Sequence, residues 1–310
     1  KDLREIGAGI FVWENALRVL EAWMGQKGKS AGEADEAPCR AAIADAARIL
    51  RAGGLVAFPT ESQEPHGAPH LRAYLDEAMI PMLQAMGFAC RIHANPAGAG
   101  PILTAERIED PALTTVLTYG HGDVIRAQTD QWRAGLTPFT LTEEGERLYG
   151  RGSADNKCQH LINLRAMAAL IEAEGRLGFN AKVLIEMGEE AGSPGLKQFC
   201  EKNAGLLAAD VFIAPSLMEA FGKTLAEAMG CGTPVVCFDA TGPKDIVTHK
   251  QDGYKAAPFE AQGLAEGVEW VTGEADYQQL ALNARDKITS TFDSPVIARQ
   301  YQALYEEMLA

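Results

Sequence analysis

The feature that narrows the fold most is a repeated pattern. A short apolar run rich in β-branched residues closes on a glycine-bearing turn that carries acids or a histidine. Val116 to Tyr119 closes on Gly120-His121-Gly122-Asp123, and Lys182 to Ile185 closes on Glu186-Met187-Gly188-Glu189-Glu190. Between them Gly152 and Asp155 precede a helical run from Cys158 to Glu174. Such runs read as short buried strands. Strands and helices alternate from Ala41 to Phe259, which predicts an α/β fold: a mixed, largely parallel sheet flanked by helices. Gln262 to Val271, Asp276 to Ser290 and Pro295 to Leu309 add a C-terminal helical cap. Polar residues at the ends of such strands share one rim.

The residue types on that rim suit cation chemistry. His121 and Asp123 are two apart, so on extended backbone they face one side, where a carboxylate orients an imidazole that ligates through its other nitrogen. Asp155 lies in a tight turn before a helix, a placement that suits a carboxylate bridging two cations. Glu189 and Glu190 are adjacent acids between Gly188 and Gly192. One can ligate while the other, its pKa adjusted by proximity, acts as general base. His66, His70 and His93 lie outside any ligand spacing, and His160, five past Asp155, is not expected to reach the same cation.

These motifs, with Gln131-Trp132-Arg133 and Pro138-Phe139, resemble the co-catalytic zinc peptidases and deacylases of the acetylornithine deacetylase and carnosinase type over residues 62–214. The resemblance implies that His121 ligates one zinc, Asp155 bridges two and Glu190 ligates the second, with Asp123 orienting His121 and Glu189 as base. It also implies an acid where Pro215 and Ser216 stand, and a distant histidine that this sequence lacks. Each zinc is left two protein ligands where a catalytic site uses three, so the expected site is incomplete and its zinc affinity weak.

Past Ser216 the vocabulary changes. Pro215-Ser216-Leu217-Met218-Glu219, then Phe221-Gly222-Lys223 with Glu227, and later Gly242-Pro243-Lys244, resemble the second half of the donor domain in retaining nucleotide-sugar glycosyltransferases, over residues 209–310. That resemblance gives Glu219 a contact to the donor sugar and Glu227 the ribose hydroxyls, with Gly222 letting backbone amides approach a diphosphate at a helix start and Lys223 as a nearby cation. The acceptor-side domain is missing. Ala208 to Ser216 fits the last strand of one segment and the first of the other, so a single hybrid sheet running through a shared strand, residues 209–216, is expected.

Two shorter resemblances precede these, in an N-terminal part of helices plus a helix-strand unit, residues 1–61. Residues 1–25 are similar to a segment of aromatic-ring flavin monooxygenases, but Gly7-Ala8-Gly9 lacks the third glycine of the dinucleotide fingerprint, so no flavin is expected. Residues 41–61, a helix over Ala41 to Ala52 and a strand over Leu55 to Phe58, are similar to the opening of threonylcarbamoyl-adenylate synthase. Ser62-Gln63-Glu64-Pro65 breaks that motif, which leaves scaffold.

Composition bounds the partners. The 310 residues carry a formal net charge of -14, against nucleic-acid and anionic-membrane partners, since phosphate binding needs clustered Lys and Arg. Six cysteines without C-x-x-C spacing point to a reducing, cytoplasmic setting, and no signal peptide is visible. A start at Lys1 rather than Met reads as trimmed or assembled. Three readings result. The first is a zinc-dependent peptidase or amide hydrolase-like protein, weak or inactive, taking a small-molecule or peptide substrate. The second is a nucleotide-sugar-binding half domain. The third is a composite or engineered α/β chain with no intact activity.

Overall fold

The apolar runs form strands whose side chains sort by parity. The computed structural model describes residues 60–61, 69–145, 147–153, 155–214, 221–258 and 260–309. The expectations placed on residues 1–59, and on His66, Pro215, Ser216 and Glu219, lie outside the described residues. The described chain divides into two compact units between Ala208 and Ala209.

Among its described residues the first unit has a helical run: α1 (Pro69–Ala73), a π-helical stretch (Tyr74–Met79) and α2 (Ile80–Ala85). Pro81 has no N–H for the preceding turn, and the run widens to π geometry just before it. Strands β1 (Ala89–His93), β2 (Ile102–Arg107) and β3 (Thr115–His121) follow, then a small hairpin of β4 (Thr142–Glu144) and β5 (Arg147–Tyr149). Helix α3 (Lys157–Glu174) ends on Gly175, which sits at φ +73° and returns its N–H to the Ile171 carbonyl at 2.8 Å, a left-handed cap that glycine adopts without a Cβ clash. β6 (Asn180–Glu186), α4 (Leu196–Lys202) and α5 (Ala204–Leu207) complete the unit.

The sheet order is β1-β2-β6-β3, antiparallel except for the β3–β6 pair. Leu103, Ala105, Val183 and Ile185 face one way, into a core with Tyr74, Leu75, Met79, Leu83, Leu161, Leu164 and Met167. Ile102 and Leu184 face the other way and pack with Phe199. A sheet covered on both faces needs unbroken apolar strands, which is why Val183-Leu184-Ile185 does not alternate with polar residues. The parallel register sets His121 beside Glu186, so β3 and β6 deliver their next residues to the same edge.

The second unit has a three-stranded parallel sheet, β7 (Phe212–Ala214), β8 (Val235–Phe238) and β9 (Gly253–Ala256), in that order. Around it run α6 (Lys223–Gly230), α7 (Pro243–Ile246), α8 (Ala261–Glu269), a π-helical stretch (Trp270–Glu274), α9 (Tyr277–Thr291) and α10 (Ser294–Leu309). Its core joins Leu225, Met229, Val235, Cys237, Ile246, Val247 and Ala284. The expected hybrid sheet is corrected here: β7 pairs with β8, whose four residues are buried, and belongs to a sheet separate from that of the first unit. A buried parallel partner gives the three residues of β7 a place in this sheet that their apolar sequence alone could not assign. The three closing helices are present, but Tyr301, Leu304, Tyr305 and Met308 of α10 are exposed.

Candidate metal centre

Three loops meet at the edge that β3 and β6 share. The turn after β3 holds His121 and Asp123, buried at 4% and 0% exposure. The turn before α3 holds Asp155, whose side chain is 71% exposed. The short 3-10 turn after β6 holds Glu189 and Glu190. Asp155 and Asn156 are joined by a cis peptide.

His121 is contacted through both ring nitrogens. Nδ1 lies 3.2 Å from the Asp123 carbonyl and 3.4 Å from Asp123 Oδ1. Nε2 lies 3.1 Å from Asp155 Oδ1 and 3.6 Å from Glu189 Oε2. Burial pushes the imidazole down, but bonds to Asp123 and Asp155 outweigh it and hold its pKa at about 10. An imidazolium with both N–H groups donating accounts for all four contacts. Asp155, bonded to that ring, is held below the usual carboxylate range despite its desolvation.

Asp123 does more than orient the ring. Its Oδ1 accepts the Glu189 N–H at 3.2 Å and its Oδ2 the Glu190 N–H at 3.0 Å, so one carboxylate pins the paired glutamates to the turn that carries His121. Burial raises the Glu190 pKa, and the nearby Asp155 carboxylate adds to the rise. Ligand atoms of His121, Glu189 and Glu190 lie within 4.8 Å of one another. That group is the one set of three such residues among the described residues, and Asp155 adjoins it through the imidazole.

Several supporting residues are not signalled by the sequence motifs. Glu186 is 1% exposed and accepts Tyr119 Oη at 2.5 Å and Ser193 Oγ at 2.9 Å; burial raises its pKa. Lys157 is fully buried with its ammonium 5.1 Å from the centroid of the Tyr74 ring, and burial brings its pKa down to about 7 against the pull of Asp123. His160, buried between Tyr74 and Asn156, is pushed by burial to about 3 and stays neutral. Thr60 donates its hydroxyl to the Gly122 carbonyl at 2.6 Å, and its own carbonyl accepts the Val124 N–H at 2.8 Å. Only pairing β3 with β6 in register, which needs the fold, exposes Glu186 as a neighbour of His121.

In the second unit Gly222 caps α6 at φ +97°, and a Cβ on Gly242 would meet the Phe221 carbonyl oxygen at 2.5 Å. Lys223 begins α6, and Glu227 is exposed on it. Lys244 lies in α7, where its carbonyl accepts the Lys255 ammonium at 3.4 Å.

Comparisons with known proteins find likenesses of two kinds. The glycosyl transferases group 1 family matches residues 198–287. The Beta-Ala-His dipeptidase of Homo sapiens is 43% identical over 103 residues, 33% of this chain and 20% of that protein. The Cys-Gly metallodipeptidase of Candida albicans is 41% identical over 111 residues, 34% of this chain and 22% of that protein. The amylovoran biosynthesis glycosyltransferase of Erwinia amylovora is 34% identical over 107 residues, 32% of this chain and 26% of that protein. The chain is a mosaic: part of it is similar to metallodipeptidases and part to group 1 glycosyltransferases, and it spans about a fifth to a quarter of the length of these relatives.

Proposed function

We propose that the first unit holds one divalent cation, zinc by preference, with His121, Asp155 and Glu190 as its ligands and Glu189 beside them as base, and acts through it as a feeble amide hydrolase on small peptides. The observation that supports this is the convergence of His121, Glu189 and Glu190 atoms within 4.8 Å of one another, with Asp155 Oδ1 3.1 Å from His121 Nε2: three protein ligands, the number a catalytic zinc uses, and a base. The donor chemistry fits: an imidazole nitrogen and carboxylate oxygens, with Asp123 on the other ring nitrogen as outer partner. A cation bound there would polarise an amide carbonyl and make water more acidic.

The chain's own residues do the rest. Asp123 keeps the ring turned and the glutamate pair in place. Of the pair, one glutamate ligates and the other takes the proton; the resemblance to zinc peptidases gives Glu189 the base and Glu190 the ligand. Asp155, on the imidazole edge, is the third ligand rather than a bridge, so the reading is one cation. The hydrolase-like part of this reading is residues 62–214. Among the described residues no helix is long and apolar enough to cross a membrane. Their five cysteines are free, which suits the reducing, cytoplasmic setting proposed for the chain.

Elemental analysis of protein prepared without chelators tests this directly. About one zinc per chain is expected, with slow release of free amino acids from dipeptides. Glu189→Gln should keep the metal and lose turnover, whereas Glu190→Gln should lose the metal. Protein that takes up no zinc, cobalt or manganese on dialysis would end the reading.

A second reading belongs to the other unit. The family match over residues 198–287 and the left-handed glycine at the start of α6 support weak binding of a nucleotide sugar by the part 215–310, with Glu219, Gly222, Lys223 and Glu227 as its contacts. Titration calorimetry with uridine diphosphate glucose tests it, and absence of heat at millimolar ligand would count against it.

A further inference from the structure

Behind the candidate cation site lies a buried chain of polar groups that no role above uses. Tyr74 Oη lies 2.7 Å from His160 Nε2, His160 Nδ1 lies 3.2 Å from Asn156 Oδ1, and the same Oδ1 accepts the His121 backbone N–H at 3.3 Å. Tyr74 and His160 are 0% and 1% exposed. The direction of the bonds follows from their far end. A backbone N–H can only donate, so the Asn156 atom facing it is the amide oxygen. That oxygen is an acceptor, so His160 must carry its proton on Nδ1, and Nε2 accepts the Tyr74 hydroxyl.

The packing leaves little slack. A Cβ on Gly120 would come within 2.7 Å of His160 Cβ and 2.8 Å of Nδ1, so the backbone just before His121 lies against the His160 side chain. Asn156 is next to Asp155, whose carboxylate meets His121 Nε2. One side chain therefore ties the strand end carrying the imidazole to the turn carrying the acid.

We propose that His160 is a positioning residue: by holding the Asn156 amide it sets the His121 backbone against the Asp155 turn, and so orients the imidazole toward the cation. The proposal rests on the metal reading for its purpose, but not for its test. In cation-free protein the His121 amide should exchange slowly with solvent deuterium. His160→Leu, which keeps volume and loses the donor, should speed that exchange at least tenfold while amides in α4 keep their rates. His160→Asn, which places an N–H donor near the position of Nδ1, should restore slow exchange, and Tyr74→Phe should change it less than threefold. Should His160→Leu not fold, His160→Gln displaces the donor and serves instead.

Cobalt titration followed by its visible absorption supplies the second arm. Affinity should fall at least tenfold in His160→Leu and recover in His160→Asn. Unchanged His121 exchange in the folded Leu or Gln variant, or equal loss of protection across the whole unit, overturns the positioning role. If wild-type protein binds no cobalt, the metal reading falls, and the exchange arm still decides whether His160 positions His121.

Discussion

At the scale of single residues the site is governed by a competition between a proton and a cation for one imidazole. His121 is held at about pKa 10 by Asp123 and Asp155, far above the ordinary value of about 6.5. A raised histidine pKa stabilises the cation-free fold below the unfolded value, and that contribution is lost as pH rises through about 10. A ligating nitrogen must give up its proton, so between about pH 7 and 9 each cation bound should release about one proton. Affinity should climb roughly tenfold per pH unit over that span. Calorimetry in buffers of different ionisation enthalpy reads the proton count, and a count near zero at pH 8 contradicts the assignment of His121 as ligand. Asp123 tests the other side of the ring. Asp123→Asn weakens both its bond to Nδ1 and its hold on the Glu189 and Glu190 N–H groups, so cation affinity should drop about 10- to 100-fold. A drop confined to stability, with affinity intact, would make Asp123 a fold residue only.

At the scale of elements, the turns that carry these residues are held by groups far off in sequence. Glu109 takes the N–H groups of Leu177 and Gly178 at 2.8 and 2.9 Å and pairs with Arg107 at 2.9 Å, which ties the α3–β6 connection to the end of β2. Burial raises its pKa, but those donors and Arg107 outweigh it and the net shift is downward. A depressed carboxylate stabilises the fold above its unfolded value, about 4.3, and the contribution is lost as pH falls through the lower folded value. Glu109→Gln should cost about 1–2 kcal/mol at neutral pH, with the variant and the wild type converging below about pH 3; urea melts across that range measure it. Gly122 tests packing at the neighbouring turn: a Cβ there would sit 2.5 Å from Tyr74 Cε1 and 2.7 Å from Met187 Sδ. Gly122→Ala should therefore destabilise by about 1–3 kcal/mol, and unchanged thermal unfolding would show that the Tyr74 ring yields. The strands that carry His121 and Glu186 were legible because apolar runs with glycine-bearing ends leave few other readings. Adjacency of Glu189 and Glu190, and the two-residue spacing of His121 and Asp123, are the local patterns that point to the residues of the proposed site. The neighbours Glu186, Tyr74 and His160 have no such pattern, because they come together through β3–β6 register and through side chains meeting across as many as 86 positions. The short strand Phe212–Ala214 was misleading for a related reason: three apolar residues fit any buried parallel edge, and only its β8 partner decides which.

At the scale of the whole molecule, each of the two units has its own main core among the described residues. Tyr74, Leu161 and Ile185 belong to one cluster, and Leu225, Val235 and Ala284 to another, on either side of the division at Ala208 and Ala209. A ligand that binds only the folded form stabilises the cooperative unit that contains its site, by RT ln(1 + [L]/Kd), about 2.7 kcal/mol at a hundredfold excess over Kd. With separate cores that gain need not spread across the chain. Scanning calorimetry should then resolve two transitions. Zinc at a hundred times its Kd should raise the one that contains His121 by about 5–10 °C, and chelator should reverse the rise. Uridine diphosphate glucose should act on the other transition alone, by an amount that its own affinity sets. Tryptophan assigns the transitions: Trp132 reports the first unit and Trp270 the second, so Trp270→Phe should silence the fluorescence change of one transition and leave the zinc-sensitive one. A single transition that moves as a whole with either ligand would mean that the mosaic folds as one cooperative body, its two ancestries joined in energy as well as in sequence.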